Sequence, residues 1–313
     1  MAGPTRASGY SDLSSTSASG FIPSIWSGKL VEKLYASTAY AEVANTIYEG
    51  EIKQVGDSVQ IRTTPSITIN DYEVGGGLTY ETPTSDKVEL QINKAKSFSF
   101  KVNDIDAYQS DLNLMDNWSE DGGQQMGIAI DTDINAYSYT EAAAANAGAA
   151  AGAKSGSLNL GEAGAPVAIT KANILDVLVD CGTALDEQNV PNTGRYVILP
   201  AWMNGMLKKS DLRDASAMGD STSVFRNGKV GQLDRFDVYV NNNLDTVVDG
   251  TTTNQCTNVI FGHKKALTFA SQMTNMETLA NPDDFGKLIR GLNVYGRKVI
   301  DPNAIGHLYA ERG

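Results

Sequence analysis

The chain has 313 residues, of which 41% are hydrophobic and 20% are charged, and its formal net charge is −12. This composition is typical of a folded protein of one large domain or two ordinary ones, with a sizeable core. The acidic balance argues against a protein that grips nucleic acid through a basic surface. The sequence shows neither a signal-peptide pattern nor a run of roughly 18 apolar residues, so we expect a soluble protein without a membrane span.

The two cysteines, Cys181 and Cys256, are far apart in the sequence, and Cys181 falls within an apolar helical pattern. We expect buried thiols in a reducing compartment, with a single disulfide as the open alternative. A reducing compartment favours a protein that is made and used in a cytoplasm.

The N-terminal segment has the composition of an arm. Residues 1–20 are mostly Ser, Thr, Ala and Gly with almost nothing to bury, which predicts a flexible tail. Apolar residues at helical spacing then predict a short amphipathic helix over Ser24–Ala44. An arm of this kind packs on a surface, either its own or a neighbour's.

Residues 50–102 have the alternation of extended strands. Apolar and polar residues alternate in Asp57–Thr63, in Ser66–Asn70 and again within Val88–Val102. Between them Asp71–Ser85 is polar and glycine-rich. The pattern predicts a long two-stranded loop with a flexible tip. Because a lone hairpin is marginally stable and no third strand is evident nearby, we expect a neighbouring subunit to support it.

A very long helix is predicted from Asp104 to about Ala145, with Asn103 as its N-cap. At 1.5 Å per residue it would be roughly 60 Å long. Gly122 and Gly123 interrupt the pattern without changing its register, so we expect a bend rather than an end. The apolar positions of the predicted stripe are Ile105, Tyr108, Leu112, Met115, Trp118, Met126, Ile130, Ile134 and Tyr137.

The second half of the chain has the pattern of an α/β unit. Ala142–Gly164 is rich in Ala, Gly and Ser, which predicts a low-complexity loop or mobile connector. Thr170 is the predicted N-cap of a helix that ends at Asn189–Pro191. The predicted elements that follow are a buried strand at Arg195–Leu199, a short helix at Trp202–Leu207, strands at Phe236–Val240 and Val259–Phe261, a short helix at His263–Gln272, a long strand at Lys287–Val299 that returns to the long helix, and a short terminal element at Pro302–Tyr309.

Two glycine-rich stretches are candidate phosphate loops. Gly148–Ser155 (GAAAGAKS) has Ala153 where a phosphate loop needs glycine before Lys154, and no hydrophobic strand precedes it. Gly75–Gly77 has no strand–helix context and is predicted to be a loop tip. We therefore expect no nucleotide site, and we interpret Gly148–Ser155 as a linker.

Other candidate sites also favour a structural interpretation. His263 and His307 lack a Cys or carboxylate cluster at ligand spacing, which disfavours zinc binding and histidine catalysis. The pairs Asp131/Asp133 and Asp283/Asp284 are predicted to face solvent. The glycosylation sequon Asn117–Ser119 lies mid-helix with Trp118 on the predicted buried face, so we discount it. We predict no catalytic, cofactor-binding or metal-binding residues and no enzymatic activity.

The order of these elements resembles that of the major capsid proteins of tailed double-stranded DNA bacteriophages, which have the HK97-like fold. The segments that carry the resemblance are FIPSIWSGKLVEKLYASTAYAEVANT, DSVQIRTTPSITI, VELQINKAKSFSFKV, DIDAYQSDLNLMDNWSED, KVGQLDRFDVYVNNNL and GLNVYGRKVIDPNAIGHLYAER. The resemblance implies an α+β fold. Its implied parts are an N-terminal arm (1–49), an extended loop (50–102), a peripheral domain with a spine helix and connector (103–164), an α/β axial domain (165–286) and a return strand of the peripheral domain (287–313).

The resemblance also implies a function. Copies would assemble into pentamers and hexamers of an icosahedral head, formed in the host bacterial cytoplasm and present in the virion. Implied partners are a portal protein, a scaffold and a cement or decoration protein, with weak non-specific contact to packaged double-stranded DNA and no cofactor or membrane. Some members crosslink a loop lysine to a neighbour, but the positions of Lys87, Lys94 and Lys96 assign none. We expect Lys94 and Lys96 to pair with an acidic face of a neighbour.

Two alternatives remain open from the sequence. An encapsulin-like shell of a cellular compartment would share the fold and hold cargo instead of DNA. A secreted, β-rich adhesive protein would fit the Ser, Thr, Gly and Asn content, although the long helix and the absence of a signal-peptide pattern disfavour it. An enzyme that depends on Lys154 is a distant third interpretation.

Overall fold

The computed structural model describes residues 38–47, 58–63, 65, 67–78, 80–85, 87–103, 114–210, 232–282 and 284–313. Several predicted features lie outside these residues. They are the arm tail at 1–20, most of the arm helix, the first part of the long helix at 104–113, Asp283, and nearly all of the polar stretch after Ser210.

The helices of the described residues are α1 (Tyr40–Val43), α2 (Leu114–Ser138), α3 (Ile174–Glu187) and α4 (Ala201–Leu207). The strands are β1 (Ser58–Arg62), β2 (Lys87–Gln91), β3 (Lys94–Asn103), β4 (Val167–Ile169), β5 (Arg195–Leu199), β6 (Gln232–Leu233), β7 (Phe236–Val240), β8 (Thr246–Val248), β9 (Gln255–His263), β10 (Leu267–Ala280), β11 (Gly286–Val299) and β12 (Ile305–Arg312). None of these helices is both long enough and apolar enough to cross a membrane.

The largest sheet has the strand order β4-β12-β9-β5-β7-β6, with β8 paired to the end of β9. β5 lies parallel to β7 and antiparallel to β9 at the centre. All five residues of Arg195–Leu199 are buried, which confirms the predicted buried strand. The predicted strands at Phe236–Val240 and Val259–Phe261 and the short helix after Pro200 are also confirmed.

Helix α3 packs its apolar stripe into the main core. Ile174, Leu178, Cys181 and Leu185 are almost completely buried, as their helical spacing predicts. The predicted N-cap is wrong by three residues. Asn173 precedes the helix, and its side-chain oxygen accepts a hydrogen bond from the backbone N–H of Thr170. Cys181 and Cys256 are both buried and free, which confirms the expectation of buried thiols.

Helix α2 continues through Gly122 and Gly123 and ends at Ser138, short of the predicted Ala145. A short 3-10 helix then covers Tyr139–Glu141. Ile130 and Ile134 are buried in the core, whereas Trp118 is 42% exposed. The prediction that Trp118 lies on a buried face is therefore wrong for the subunit, in which the ring contacts Phe100 of β3 and stays partly exposed.

A second sheet has the order β10-β11-β3. The prediction that no third strand supports the extended loop is wrong, because Lys94–Asn103 pairs along its length with Gly286–Tyr295 of β11. The shorter pair β1-β2 also rests on this subunit. Its inward residues Ile61 and Leu90 form a small core with Ala270 of β10.

The predicted helix at His263–Gln272 is wrong, because β9 runs to His263 and β10 begins at Leu267. Ala266–Ala270 is buried on both faces of the strand. A short apolar run of this kind has no alternation, so its pattern cannot distinguish a buried strand from a helix. The predicted long strand at Lys287–Val299 is confirmed.

The chain ends in the large sheet. After a 3-10 turn at Pro302–Ala304, β12 lies between β4 and β9. The resemblance assigns 287–313 to a return strand of the peripheral domain, but the structure has two strands there, in different sheets. The residue pattern separates a long strand from a terminal element at Pro302, but it could not show that the terminal element joins the large sheet.

Candidate functional site

The candidate phosphate loop is held by the subunit's own carboxylate. The backbone N–H groups of Lys154 and Ser155 donate to one oxygen of Glu187, at 2.7 and 3.1 Å. These two hydrogen bonds are the main reason that the pKa of Glu187 lies below its usual value. The amides that would face a phosphate are therefore occupied, and the connector is fixed to the end of α3. The surrounding segment packs into the subunit, since Ala151 and Leu160 are completely buried.

The two histidines lie apart, and both make structural contacts within the subunit. His263 is 8% exposed, and its Nδ1 accepts a hydrogen bond from the backbone N–H of Lys265. His307 lies 2.9 Å from Asn258 through Nε2 and packs against the Tyr139 ring. Burial lowers the pKa of His307 to about 4. Within the described residues, no three His, Cys, Asp or Glu side chains are grouped so that they could hold a metal ion.

The prediction that Asp131 and Asp133 face solvent is wrong. Asp131 is completely buried and accepts five hydrogen bonds. Asp133 forms an ion pair with Arg297 of β11 at 2.7 Å and accepts a hydrogen bond from the hydroxyl of Tyr295. Arg297 also lies over the Tyr137 ring, at 4.2 Å from its centre. The polar face of α2 therefore fixes the helix to the rest of the subunit.

Sequence reasoning missed this role because every hydrogen-bond partner of the two carboxylates except Asn135 is remote in the sequence. Asn241 and Asn243, which donate to Asp131, follow it by 110 and 112 residues. The run of asparagines after β7 predicts a turn and nothing more. Asp284, of the other acidic pair, accepts a hydrogen bond from the side-chain amide of Asn103, which is the last residue of β3.

Residues 67–85, here called the acidic loop, form the most exposed part of the described chain. Every described residue in it is exposed. It carries Asp71, Glu73 and Glu81 and no Lys or Arg. Positive φ angles at Gly75 (88°) and Gly77 (34°) confirm a turn at the predicted tip. The large apolar side chains that it exposes are Ile67, Ile69, Tyr72, Val74, Leu78 and Tyr80. This many exposed apolar side chains on one loop indicate an interaction surface.

A cavity of about 460 Å³ lies between β3 and α2. We call it the aromatic groove. The residues that line it include Lys96, Phe98, Phe100, Trp118 and Met126. The rings of Phe100 and Trp118 meet edge to face with centres 5.7 Å apart. Lys94 and Lys96 are exposed on the face of β3 that also carries Phe98 and Phe100, so a basic row of two lysines borders an apolar depression.

The acidic loop and the aromatic groove are therefore complementary surfaces of the described chain. The acidic loop exposes apolar side chains and carries only negative charges, whereas the aromatic groove is lined by aromatic rings, with Lys96 on its β3 side and Asp121 on its α2 side. Because exposed apolar patches and opposite potentials mark association surfaces, these two form the candidate functional site.

Comparison with known proteins agrees with this architecture. Residues 87–307 match a family described as phage capsid protein. A structure titled Mycobacterium phage Che8 is 27% identical, with a TM-score of 0.74, over 92% of this chain and 97% of that chain. The capsid structure of the cyanophage P-SCSP1u is 15% identical, with a TM-score of 0.70, over 94% of each chain.

A structure titled Gordonia phage Cozz is 14% identical, with a TM-score of 0.63, over 100% of this chain and 98% of that chain. No curated protein matches the sequence. The family match does not favour the compartment-shell and adhesive alternatives.

Proposed function

Because this chain belongs to the phage capsid protein family and is a structural capsid protein with the HK97-like fold, we propose that its copies close as pentamers and hexamers into an icosahedral head around double-stranded DNA. Self-assembly into a shell is the activity of such a protein, and its location is the virion capsid. We propose no catalytic step, because the glycine-rich loop and both histidines are engaged in structural contacts.

One observation carries the proposal: the acidic loop exposes six large apolar side chains that its own subunit does not bury. A neighbouring subunit that covered the loop would remove this apolar surface from water, at roughly 25 cal/mol per Å². The loop and the aromatic groove are different surfaces, so a contact between them is heterologous. Heterologous contacts build rings when the rotation closes.

Charge gives this contact a direction. Lys94 and Lys96 lie on the face of β3 that borders the aromatic groove, and the charged side chains of the acidic loop are all negative. Opposite potentials speed the encounter of the loop with the groove, and like charges disfavour contact between two loops. We propose that the acidic loop of each subunit lies on the aromatic groove of the next.

The two sheets support a division into domains. In this proposal α2 and the sheet β10-β11-β3 form the peripheral domain, and the large sheet with α3 forms the axial domain. The last strand, Ile305–Arg312, then belongs to the axial domain, because it pairs with β4 and β9.

Further partners follow from the same proposal. A net charge of −12 supports weak, non-specific contact with packaged DNA, because few cations are available to neutralise phosphates. The two free thiols support assembly in the reducing host cytoplasm. A portal, a scaffold and a cement protein are the remaining proposed partners.

Negative-stain electron microscopy of the full chain, expressed alone and with its neighbouring genes, tests the proposal. We expect closed shells, tubes or rings of subunits from the wild type. Deletion of Asp71–Ser85 should leave folded, soluble subunits that do not close, whereas Tyr80→Phe, which keeps the apolar ring, should assemble normally. Dispersed monomers from the wild type in both conditions would contradict the shell proposal.

A further inference from the structure

The carboxylate of Asp131 is a buried junction between three segments of the chain. It is completely buried on α2, and all of its hydrogen-bond donors are neutral N–H groups. An ionised carboxylate only accepts hydrogen bonds, and its burial is costly unless such bonds compensate for lost water. The donors are the backbone N–H groups of Ala39 and Tyr40, both at 3.0 Å, and the side-chain amides of Asn135 at 3.3 Å, Asn241 at 2.6 Å and Asn243 at 2.8 Å.

The two carboxylate oxygens have different partners. Oδ1 accepts both backbone bonds from the arm segment, defined here as residues 38–47. Oδ2 accepts all three asparagine bonds, two of them from the turn after β7 that contains Asn241 and Asn243. Because both oxygens belong to one planar group, any rotation that breaks the asparagine bonds also moves the oxygen that holds the arm.

The other end of the arm segment is held without Asp131. Asn45 pairs with β10, since its N–H donates to the carbonyl of Leu267 at 2.8 Å and its carbonyl accepts from Phe269 at 3.0 Å. The Tyr40 ring also packs against Phe269. Loss of the Asp131 contacts would therefore free the backbone N–H groups of Ala39 and Tyr40, while the pairing of Asn45 with β10 stays in place.

We propose that Asp131 is a positioning residue that couples the arm to the turn after β7, so that the asparagines of the turn fix the carboxylate rotamer that holds the arm. A displacement of the turn then releases the backbone N–H groups of Ala39 and Tyr40 from the carboxylate. In the proposed shell, a neighbouring subunit that contacted the turn would change the position of the arm. The coupling itself is a property of the subunit and does not depend on that shell.

Hydrogen exchange at the amides of Ala39 and Tyr40 tests the coupling in the full chain. Asn241→Ala with Asn243→Ala removes donors to Oδ2 and leaves the arm segment unchanged. We expect exchange at both arm amides to rise at least tenfold, and exchange at the Phe269 amide to stay slow. Asp131→Asn places an NH₂ group among groups that can only donate. This variant should raise the exchange rate at the same two amides at least as much.

Asn242→Ala is the matched control, because Asn242 belongs to the same turn but its Oδ1 accepts from the backbone N–H of Ala201. This variant should leave Ala39 and Tyr40 as protected as in the wild type. Wild-type protection in the double variant would overturn the coupling, as would an equal effect of Asn242→Ala. If the double variant does not fold, Asn243→Ala alone provides the test with the same expected direction.

Discussion

A Cβ atom at Gly122 would lie 2.8 Å from Cε2 of Phe98, so the ring packs directly on the bare backbone of α2. Phe98 also pairs across the sheet with Gly291, where an added Cβ would clash with the same ring. The ring is thus held between two glycines from different elements. Gly122 is explained by this contact, whereas the bend that the sequence predicts there stays a prediction.

Adjacent glycines of α2 should respond oppositely to alanine. Gly123→Ala should raise the free energy of unfolding by about 0.5–1 kcal/mol, because alanine favours helix and nothing lies within 4 Å of its Cβ. Gly122→Ala should lose this gain and cost about 1–3 kcal/mol as the added methyl displaces Phe98. Urea denaturation of both variants measures the difference. Equal effects at the two positions would contradict the packing of Phe98 on Gly122.

The pair Asp133–Arg297 should contribute to stability above acidic pH. Burial alone would raise the pKa of Asp133, but the hydrogen bonds and charge of Arg297 lower it below its usual value. The contribution is therefore present above the unfolded pKa, near 4, and is lost as the pH falls through the folded pKa. At pH 7, Asp133→Asn should cost about 1–3 kcal/mol in urea denaturation.

The exposed pair Glu277–Arg290 is the control for this prediction. The Arg290 side chain is 61% exposed, so solvent screens its attraction to the carboxylate. Glu277→Gln should change the unfolding free energy by much less than Asp133→Asn. Equal losses of unfolding free energy in the two variants would show that the pair between α2 and β11 stabilises the subunit no more than an exposed ion pair does.

His307 should make the subunit acid-sensitive between about pH 6.5 and pH 4. Burial lowers its folded pKa to about 4, while the unfolded chain binds a proton near 6.5. The unfolded state therefore binds more protons in this window, and the unfolding free energy falls as the pH drops through it, by at most about 3 kcal/mol. His307→Gln, which retains a side-chain N–H for Asn258, should flatten this slope in urea titrations. An unchanged slope would assign the acid sensitivity to other groups.

The basic row on β3 should control assembly more than folding. Lys94→Ala with Lys96→Ala should raise the protein concentration needed for shell formation, as light scattering measures, and should weaken its dependence on salt. The subunit melting temperature should change little, because both side chains are exposed. Lys171→Ala removes an equally exposed cation outside the row and is the control. A similar loss of assembly in the control would point to net charge instead of a specific contact.

Local patterns predict the elements that a single segment determines. The uninterrupted apolar run at Arg195–Leu199, the helical stripe from Ile174 to Leu185 and the alternation at Lys287–Val299 all appear as expected. In each case the buried residues and their spacing lie within one stretch of chain. The order of such elements is also what carries the resemblance to capsid proteins.

Long-range contacts could not be predicted in the same way. Asp131 lies on the polar face of a helix, and only the fold brings the asparagines after β7 to its carboxylate. Trp118 belongs to an apolar stripe by its spacing, yet β3 leaves 42% of it exposed beside the aromatic groove. The groove itself forms between two elements, so neither element's sequence reveals it.

Cryo-electron microscopy of assembled particles, at a resolution that traces side chains, tests the central claim most directly. The account predicts closed particles in which residues 67–85 of each subunit lie on Phe100 and Trp118 of the adjacent subunit, with Lys96 beside a loop carboxylate. Closed particles with this loop exposed to solvent, or folded back on its own subunit, would contradict the proposed contact.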